Sequence, residues 1–262
     1  MAVDEAILEA VGRAEVLPTL RLYAWQPPCL SLGYAQPLSD VDLEALTANG
    51  WELVRRPTGG RAILHTDELT YSVIGPENEP RLAGGVLKSY ANLARALLRA
   101  LELLAVPAQA VESPGGTLPN GSNPGNSKVV NPVCFEVPSN YEITVSGKKL
   151  IGSAQARRKE GVLQHGSLPL YGDLTRITQA LNFPDQTTRQ NAADRLLARA
   201  ATIESAIGSR LGWDQAAEAL ASAFSETLNL ELVPQDLTPA ELERAQALAE
   251  LKFRNMAWTA KI

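Results

Sequence analysis

The sequence predicts an α/β domain of the α+β type, in which a mixed β-sheet is packed by helices. Short strand-like patterns dominate the first two thirds of the chain, with amphipathic helical patterns between them. The last third, from about residue 190 to residue 262, is predominantly helical in pattern. With 262 residues the chain can bury a sizeable core. We therefore expect a single domain over residues 1–262 with a helical C-terminal portion.

The first part of the chain alternates between helical and strand-like patterns. Val3, Ile7 and Val11 recur on one helical face, and leucines recur at the same spacing over residues 86–101. Residues 41–49 form a further helical pattern that ends at a glycine. The remaining patterns favour strands, at residues 20–25, 31–34, 52–56, 62–65 and 69–74.

The middle of the chain predicts a long loop followed by a hairpin. Residues 113–128 are rich in Gly, Asn, Pro and Ser, which predicts an exposed loop leading to Cys134. Alternating residues before and after the turn at 146–147 predict two paired strands. Another strand is predicted at residues 161–170, and helices at 192–207, 213–228 and 239–253.

Charge and composition exclude several classes of protein. The net charge of −5 argues against a general nucleic-acid binder, which usually carries a basic surface. The sequence contains no run of 18 apolar residues, so it predicts no membrane span. The residues near the N-terminus include acids where a signal peptide would have basic residues. Two cysteines far apart form no disulfide framework, and no metal-binding spacing is present. We therefore expect a cytoplasmic protein without a metal or cofactor, in which thiols stay reduced.

The two cysteines lie in different sequence environments. Cys29 is followed by an apolar strand pattern and is predicted to be packed. Cys134 lies between the long loop and the hairpin, outside any core pattern. A buried cysteine acts as a small hydrophobe, whereas a nucleophilic cysteine needs a nearby cation to lower its pKa. Lys148 and Lys149, on the far arm of the hairpin, could supply that charge.

The segment at residues 55–61 contains two arginines, a glycine pair and a third arginine. Glycines let the backbone approach a ligand closely, and arginines complement an anion, although a tight turn with solvated arginines is equally compatible. The only histidines, His65 and His165, each end an apolar strand pattern and are either structural or able to shuttle protons. On these grounds alone the sequence indicates an α/β enzyme with a possible reactive cysteine.

Together these segments resemble the lipoate-protein ligase and octanoyltransferase family, which is related in fold to biotin-protein ligases. The resemblance covers most of the chain, at residues 1–8, 25–36, 55–65, 69–72, 147–155 and 252–258. One departure is Phe253, where the family more often has tyrosine. Residues 134–142 are similar to the branch of octanoyltransferases that works through an acyl-cysteine.

The resemblance implies the biotin/lipoate protein ligase catalytic fold and a two-step acyl transfer. Cys134 would take the octanoyl group from octanoyl-acyl carrier protein, and a lysine of a lipoyl domain, such as the glycine cleavage H protein, would then receive it. Lys149 would lower the pKa of Cys134 and stabilise the developing oxyanion. The substrate-binding positions implied are Arg56, Thr58, Gly59, Gly60, His65, Tyr71, Ser72, Gly152, Ser153, Ala154 and His165.

Three alternatives stay open from the sequence. The first is an ATP-dependent lipoate-protein ligase in which Cys134 is incidental. The second is a non-catalytic module that binds an acyl group or a lipoyl protein, and the third, a biotin ligase, is disfavoured by the cysteine segment. A monomer is expected, and the basic residues predicted to contact an acidic partner are Arg55, Arg56, Arg61, Arg157, Arg158 and Lys159.

Overall fold

The computed structural model describes residues 1–112 and 141–262. Cys134 and the predicted loop at residues 113–128 lie outside the described residues. Within the described part of the chain, no helix is both long and apolar enough to cross a membrane.

The strands form two sheets, and the helices pack against them. Nine described strands are β1 Thr19–Tyr23, β2 Cys29–Leu32, β3 Glu52–Arg55, β4 Ile63–His65, β5 Glu68–Gly75, β6 Ala108–Glu112, β7 Tyr141–Val145, β8 Lys148–Arg158 and β9 Gly161–Pro169. A six-stranded sheet has the order β1-β5-β9-β8-β7-β6, and a three-stranded sheet has the order β3-β2-β4. All pairs in the large sheet are antiparallel, and only the small sheet is mixed, because β2 pairs with β3 in parallel. The predicted fold class is confirmed.

Eight α-helices are described: α1 Ala2–Gly12, α2 Leu43–Ala48, α3 Gly85–Leu103, α4 Gln186–Arg199, α5 Ile203–Ile207, α6 Trp213–Leu228, α7 Pro239–Leu248 and α8 Met256–Thr259. The single helix predicted at residues 192–207 is wrong, because the chain breaks at Ala200 between α4 and α5. There Ala200 forms a parallel bridge with Lys149, and the Ala201 amide donates to the Lys149 carbonyl at 3.0 Å. Pairing with the sheet therefore replaces the helical hydrogen bonds at this point.

The two faces of the large sheet have different partners. On one face, α3 and α6 pack with residues such as Tyr71 and Phe224 into the main hydrophobic core. On the other face, α1 packs against Ile74 and Leu163, which are paired across β5 and β9. The small sheet and its loops lie over the remaining part of this second face, so a pocket forms between the two sheets.

Arg55 connects the C-terminal segment to the small sheet. Its guanidinium donates to the carbonyls of Thr259, Gly33 and Gln36, and the side chain is completely buried. The indole of Trp258 donates back to the Arg55 carbonyl at 2.9 Å. Arg55 and Arg56 are both buried, so the prediction that they contact a partner protein is wrong. Their guanidinium groups donate hydrogen bonds to backbone carbonyls that are buried on folding and would otherwise lack a partner.

Candidate functional site

The pocket between the two sheets has a volume of about 430 Å³, including its open mouth. Its lining combines backbone from glycines, a tryptophan and several buried polar side chains. The large sheet contributes Tyr23, Thr70, Gly152, Ser153, Ala154, His165, Gly166 and Ser167, and the small sheet and the other segments contribute Met1, Trp25, Ser31, Arg56, Gly60, Ile63 and His65. The structure therefore brings six predicted substrate-binding residues to one pocket, namely Arg56, Gly60, His65, Gly152, Ala154 and His165, together with Ser153, whose side chain faces away from it.

The strand register explains which side chains reach this pocket. Thr70 is paired with Ser167, and Ser167 is paired with Gly152. Directly paired residues lie on the same face of a sheet, so these three positions form a row across the floor of the pocket. Gly152 has no side chain, and the row is therefore open at that position.

A β-bulge turns Lys149 towards the same face. β7 and β8 pair Ile143 with Ile151 and Thr144 with Lys149, so one step along β7 corresponds to two along β8. If β8 alternated regularly without this bulge, Lys149 would share the core face with Ile151, two residues away. Instead its ammonium donates to Glu142 at 2.9 Å, and only 6% of the lysine side chain is exposed. If the pairing of Ile143 with Ile151 is continued by one residue, Glu142 lies opposite Gly152, the open position of the pocket floor.

Arg56 holds the glycine-containing loop in place. Its guanidinium donates to the carbonyls of Ser31, Gly59 and Arg61 at 2.9, 3.0 and 2.6 Å. The loop also lies unusually close to the end of β2, because a Cβ atom on Gly33 would be 1.8 Å from the Gly60 carbonyl oxygen. The guanidinium thus shapes the pocket wall from behind rather than lying on the protein surface.

A chain of buried hydrogen bonds joins the two sheets. Ser31 Oγ lies 2.8 Å from His65 Nε2, and His65 Nδ1 lies 2.6 Å from Glu68 Oε1. Glu68 also accepts hydrogen bonds from Thr70 and Ser167. Burial raises the pKa of Glu68, but the charge of His65 and these hydrogen bonds outweigh it and hold the pKa below its ordinary value. Glu68 is therefore ionised at neutral pH.

Trp25 covers this chain from the pocket side. Its ring stacks on the His65 imidazole with the centroids 4.3 Å apart, and its indole nitrogen donates to Thr70 at 2.9 Å. An aromatic face therefore separates the polar chain from an occupant of the pocket.

His165 has a different environment. Its Nε2 lies 2.7 Å from Thr58 Oγ1, and its Nδ1 has no hydrogen-bond partner within the described residues. Burial lowers the pKa of His165 to about 3, so the imidazole is neutral at physiological pH. Thr58 is thus tied to the pocket through His165. A pKa lowered in this way disfavours His165 as a proton shuttle near neutral pH.

Besides Thr58, three further predicted positions, Tyr71, Ser72 and Gly59, do not line the pocket. Tyr71 is fully buried, and its hydroxyl is 2.7 Å from Ser153 Oγ on the core face of the sheet. Ser72 lies on the pocket face but donates to Asp4 Oδ1 at 3.0 Å, under helix α1. Their contact with a substrate stays a prediction. Gly59 is held through its carbonyl by Arg56.

Cys29 is a packed residue, as predicted. It is 3% exposed, and burial raises the pKa of its thiol to about 12. The site residues that were not predicted include Ser31, Glu68 and Glu142. The register between strands brings Ser31 near His65 and Glu142 near Lys149, whereas Glu68 follows His65 by three residues. In the sequence the one available signal is that polar residues interrupt apolar strand patterns at these positions.

Comparison with known proteins gives a consistent result. Residues 1–225 match the family described as the lipoyl protein ligase A/B catalytic domain. The chain is 42% identical over 259 residues to the octanoyltransferase LipM of Symbiobacterium thermophilum, covering 98% of this chain and 92% of that protein. It is 41% identical over 259 residues to the octanoyltransferase LipM of Moorella thermoacetica, with coverages of 98% and 92%.

Solved structures with a similar fold are lipoate-protein ligases. A bi-partite ligase from Thermoplasma acidophilum, studied with its E2 lipoyl domain, superposes with a TM-score of 0.76 at 26% identity, covering 99% of this chain and 89% of that chain. A lipoate-protein ligase A bound with ATP superposes with a TM-score of 0.73 at 27% identity, with coverages of 99% and 92%.

Proposed function

The chain belongs to the lipoyl protein ligase A/B catalytic domain family and is an acyltransferase, and on this premise we propose that it transfers an octanoyl group to a lysine of a lipoyl-domain protein. The octanoyltransferase names of its relatives support the acyl group. The lipoyl domain studied with the archaeal ligase supports the class of acceptor. We infer octanoyl-acyl carrier protein as the donor and the glycine cleavage H protein as the acceptor from the resemblance of the Cys134 segment.

The observation that carries the proposal is the placement of Lys149. The β-bulge directs this cation onto the pocket face, and Glu142 fixes it beside Gly152. Cys134 precedes β7 in the chain, and β7 is the strand that pairs with the strand of Lys149. A cation at this place can stabilise the Cys134 thiolate and later the oxyanion of the tetrahedral intermediate.

The reaction has two steps. The Cys134 thiolate attacks the thioester carbonyl of the donor, a new C–S bond forms, the old C–S bond breaks, and the carrier leaves as its thiolate. The neutral lysine amine of the acceptor then attacks the acyl-cysteine, an amide forms, one amine proton is lost to solvent, and the Cys134 thiolate is released. A thioester is already activated, so neither step needs ATP.

The apolar part of the pocket lining is compatible with the chain of an octanoyl group. Burying a methylene contributes about 0.8 kcal/mol, so the chain contributes on the order of 5 kcal/mol to binding. Trp25, Ile63 and Ala154 supply apolar contact area along the pocket. One methylene changes binding by only about 10–200-fold, so we expect a preference for octanoyl rather than absolute selection.

Intact-mass measurement tests the proposal. Purified protein is incubated with octanoyl-acyl carrier protein without ATP, in parallel with a Cys134→Ser variant and a Cys29→Ser control. An octanoyl adduct on the wild type and on the control, absent from Cys134→Ser and discharged by a lipoyl domain, is the expected result. If ATP and free octanoate or lipoate are required, and Cys134→Ser is equally active, the protein is an ATP-dependent ligase instead.

A further inference from the structure

A second cavity lies next to the pocket between the two sheets. Its volume is about 470 Å³, including its open mouth, which is close to that of the pocket itself. The connection between β4 and β5, the end of β9, the 3₁₀-helix Leu174–Gln179 and helix α4 all contribute to its lining. The apolar part of this lining consists of Ile63, Leu64, Pro169, Leu174, Ile177 and Leu196.

The pocket and the second cavity follow one another along β5 and β9. Thr70 and Ser167, which are paired across these strands, line the pocket. Two residues further along, the next pair on the same face is Glu68 and Pro169, and both line the second cavity. A strand rises about 3.3 Å per residue, so the two pairs are about 7 Å apart. The two spaces are therefore consecutive parts of one cleft, and a thin partition separates them.

Ile63 belongs to the lining of both spaces. It lies on β4, two residues before His65 and on the same face of the small sheet. The other side of the partition is polar, because the Glu68 carboxylate is held there by hydrogen bonds with His65, Thr70 and Ser167. Ile63 thus forms the apolar part of the partition. Shortening its side chain leaves the hydrogen bonds of the polar part in place.

The second cavity suits a hydrocarbon chain better than a polar ligand. Its inner wall includes Ile177 and Leu196, which are only 4% and 2% exposed. Its charged residues lie nearer the solvent: Arg176 is paired with Asp67, and their side chains are 32% and 28% exposed. Within the described part of the chain, none of its lining side chains has a buried polar atom that lacks a hydrogen-bond partner. The interior therefore presents no polar group that calls for a ligand to satisfy it.

We propose that Ile63 limits the length of the acyl chain by closing the substrate pocket against the second cavity. This inference rests on the proposed octanoyl transfer, because it takes the pocket between the sheets as the site of the acyl chain. A chain of eight carbons in the pocket packs against the branched side chain of Ile63. A longer chain has to displace that side chain, and overpacking is unfavourable. When residue 63 is smaller, the chain can continue into the second cavity.

Binding of free fatty acids tests this proposal without any acyl transfer. Isothermal titration calorimetry measures the dissociation constants of octanoate, decanoate and dodecanoate for the wild type, Ile63→Ala and Ile63→Val. The matched control is Leu64→Ala, because Leu64 is the next residue and lines the second cavity but not the pocket. This control enlarges the cavity and leaves the partition in place. Circular dichroism verifies that each variant is folded, and Ile63→Val is the milder change.

We expect the wild type to bind octanoate more tightly than the two longer acids. Each methylene that finds room in an apolar site strengthens binding about fourfold. In Ile63→Ala, decanoate and dodecanoate should therefore bind more tightly than octanoate, and the ratio of decanoate to octanoate affinity should rise about tenfold or more over the wild type. Ile63→Val should show a smaller shift in the same direction. Leu64→Ala should keep the preference of the wild type.

Two results would overturn the inference. In the first, folded Ile63→Ala and Ile63→Val keep the chain-length preference of the wild type. In the second, Leu64→Ala shifts the preference as much as Ile63→Ala does, which indicates general loosening of the small sheet. The proposed function fails separately: a protein that shows the expected shift but transfers no octanoyl group to a lipoyl domain has the cleft without the reaction. Transfer without the shift leaves the function standing and refutes the role of Ile63.

Discussion

The pair formed by Lys149 and Glu142 should be coupled strongly enough to measure in folding experiments. The two side chains are 6% and 16% exposed, and their charged atoms are 2.9 Å apart. Replacing Lys149 by Met leaves the Glu142 carboxylate in a largely buried place without this cation, which should lower the free energy of unfolding by roughly 3 kcal/mol. Glu142→Gln should have an effect of similar size, for the converse reason.

The double variant provides the decisive comparison. When Lys149 has been replaced, replacing Glu142 as well removes a buried charge that has lost this cation. The double variant should therefore be more stable than the sum of the two single-variant losses predicts. We expect a coupling energy of about 1–3 kcal/mol from urea unfolding of the four proteins. Effects that simply add would show that the ion pair does not stabilise the fold, and would refute the reasoning that Glu142 positions Lys149.

Three further predictions follow from buried groups. Gly33→Ala should lower the free energy of unfolding by about 3 kcal/mol, because its Cβ would meet the Gly60 carbonyl oxygen at 1.8 Å. Urea unfolding measures this change. The control is Gly59→Ala, because a Cβ at Gly59 would meet nothing within 4 Å. Iodoacetamide at pH 7.5 should modify native protein at Cys134 but not at Cys29, whose thiol pKa is raised by burial to about 12; peptide mapping that finds both alkylated would contradict this. The pKa of Glu68 is lowered, so its stabilising effect is present above the unfolded-state value of about 4.3 and is lost as the pH falls through the folded-state value. Acid unfolding of Glu68→Gln should accordingly show a flatter pH dependence than the wild type, and identical curves would count against it.

The fold class could be predicted from the sequence because its signals are local. The alternation around residues 146–147 and the leucine spacing of α3 specify their elements through their own periodicity. Strand β6, at Ala108–Glu112, was not predicted, because its residues have weak strand propensity and pairing with β7 determines its conformation. The break at Ala200 is similarly caused by a contact with β8 that lies far away in sequence.

The polar part of the site could not be predicted because it depends on register. Ser31, His65 and Glu68 lie on three strands of two sheets. His65 and Glu68 are three residues apart, but the contact between Ser31 and His65 spans 34 residues and depends on how β2 pairs with β4. Glycine-containing segments were easier to recognise, since a close backbone approach such as that of Gly33 to Gly60 requires a particular residue type. A resemblance could place Lys149 in a site, but only the structure shows how its side chain is directed there.

The orientation of Lys149 depends on where the register of the hairpin shifts rather than on the identity of its residues. If the same sequence paired by plain alternation, without the bulge, Lys149 would lie opposite Val145 instead of Thr144. The ammonium would then project among Ile143, Ile151 and their apolar neighbours, and Glu142 would lie on the pocket face alone. For anyone redesigning this scaffold, the hairpin can accept many substitutions as long as the bulge stays between Lys149 and Ile151. A sequence alignment that misplaces a single gap here would assign the cation to the wrong side of the sheet.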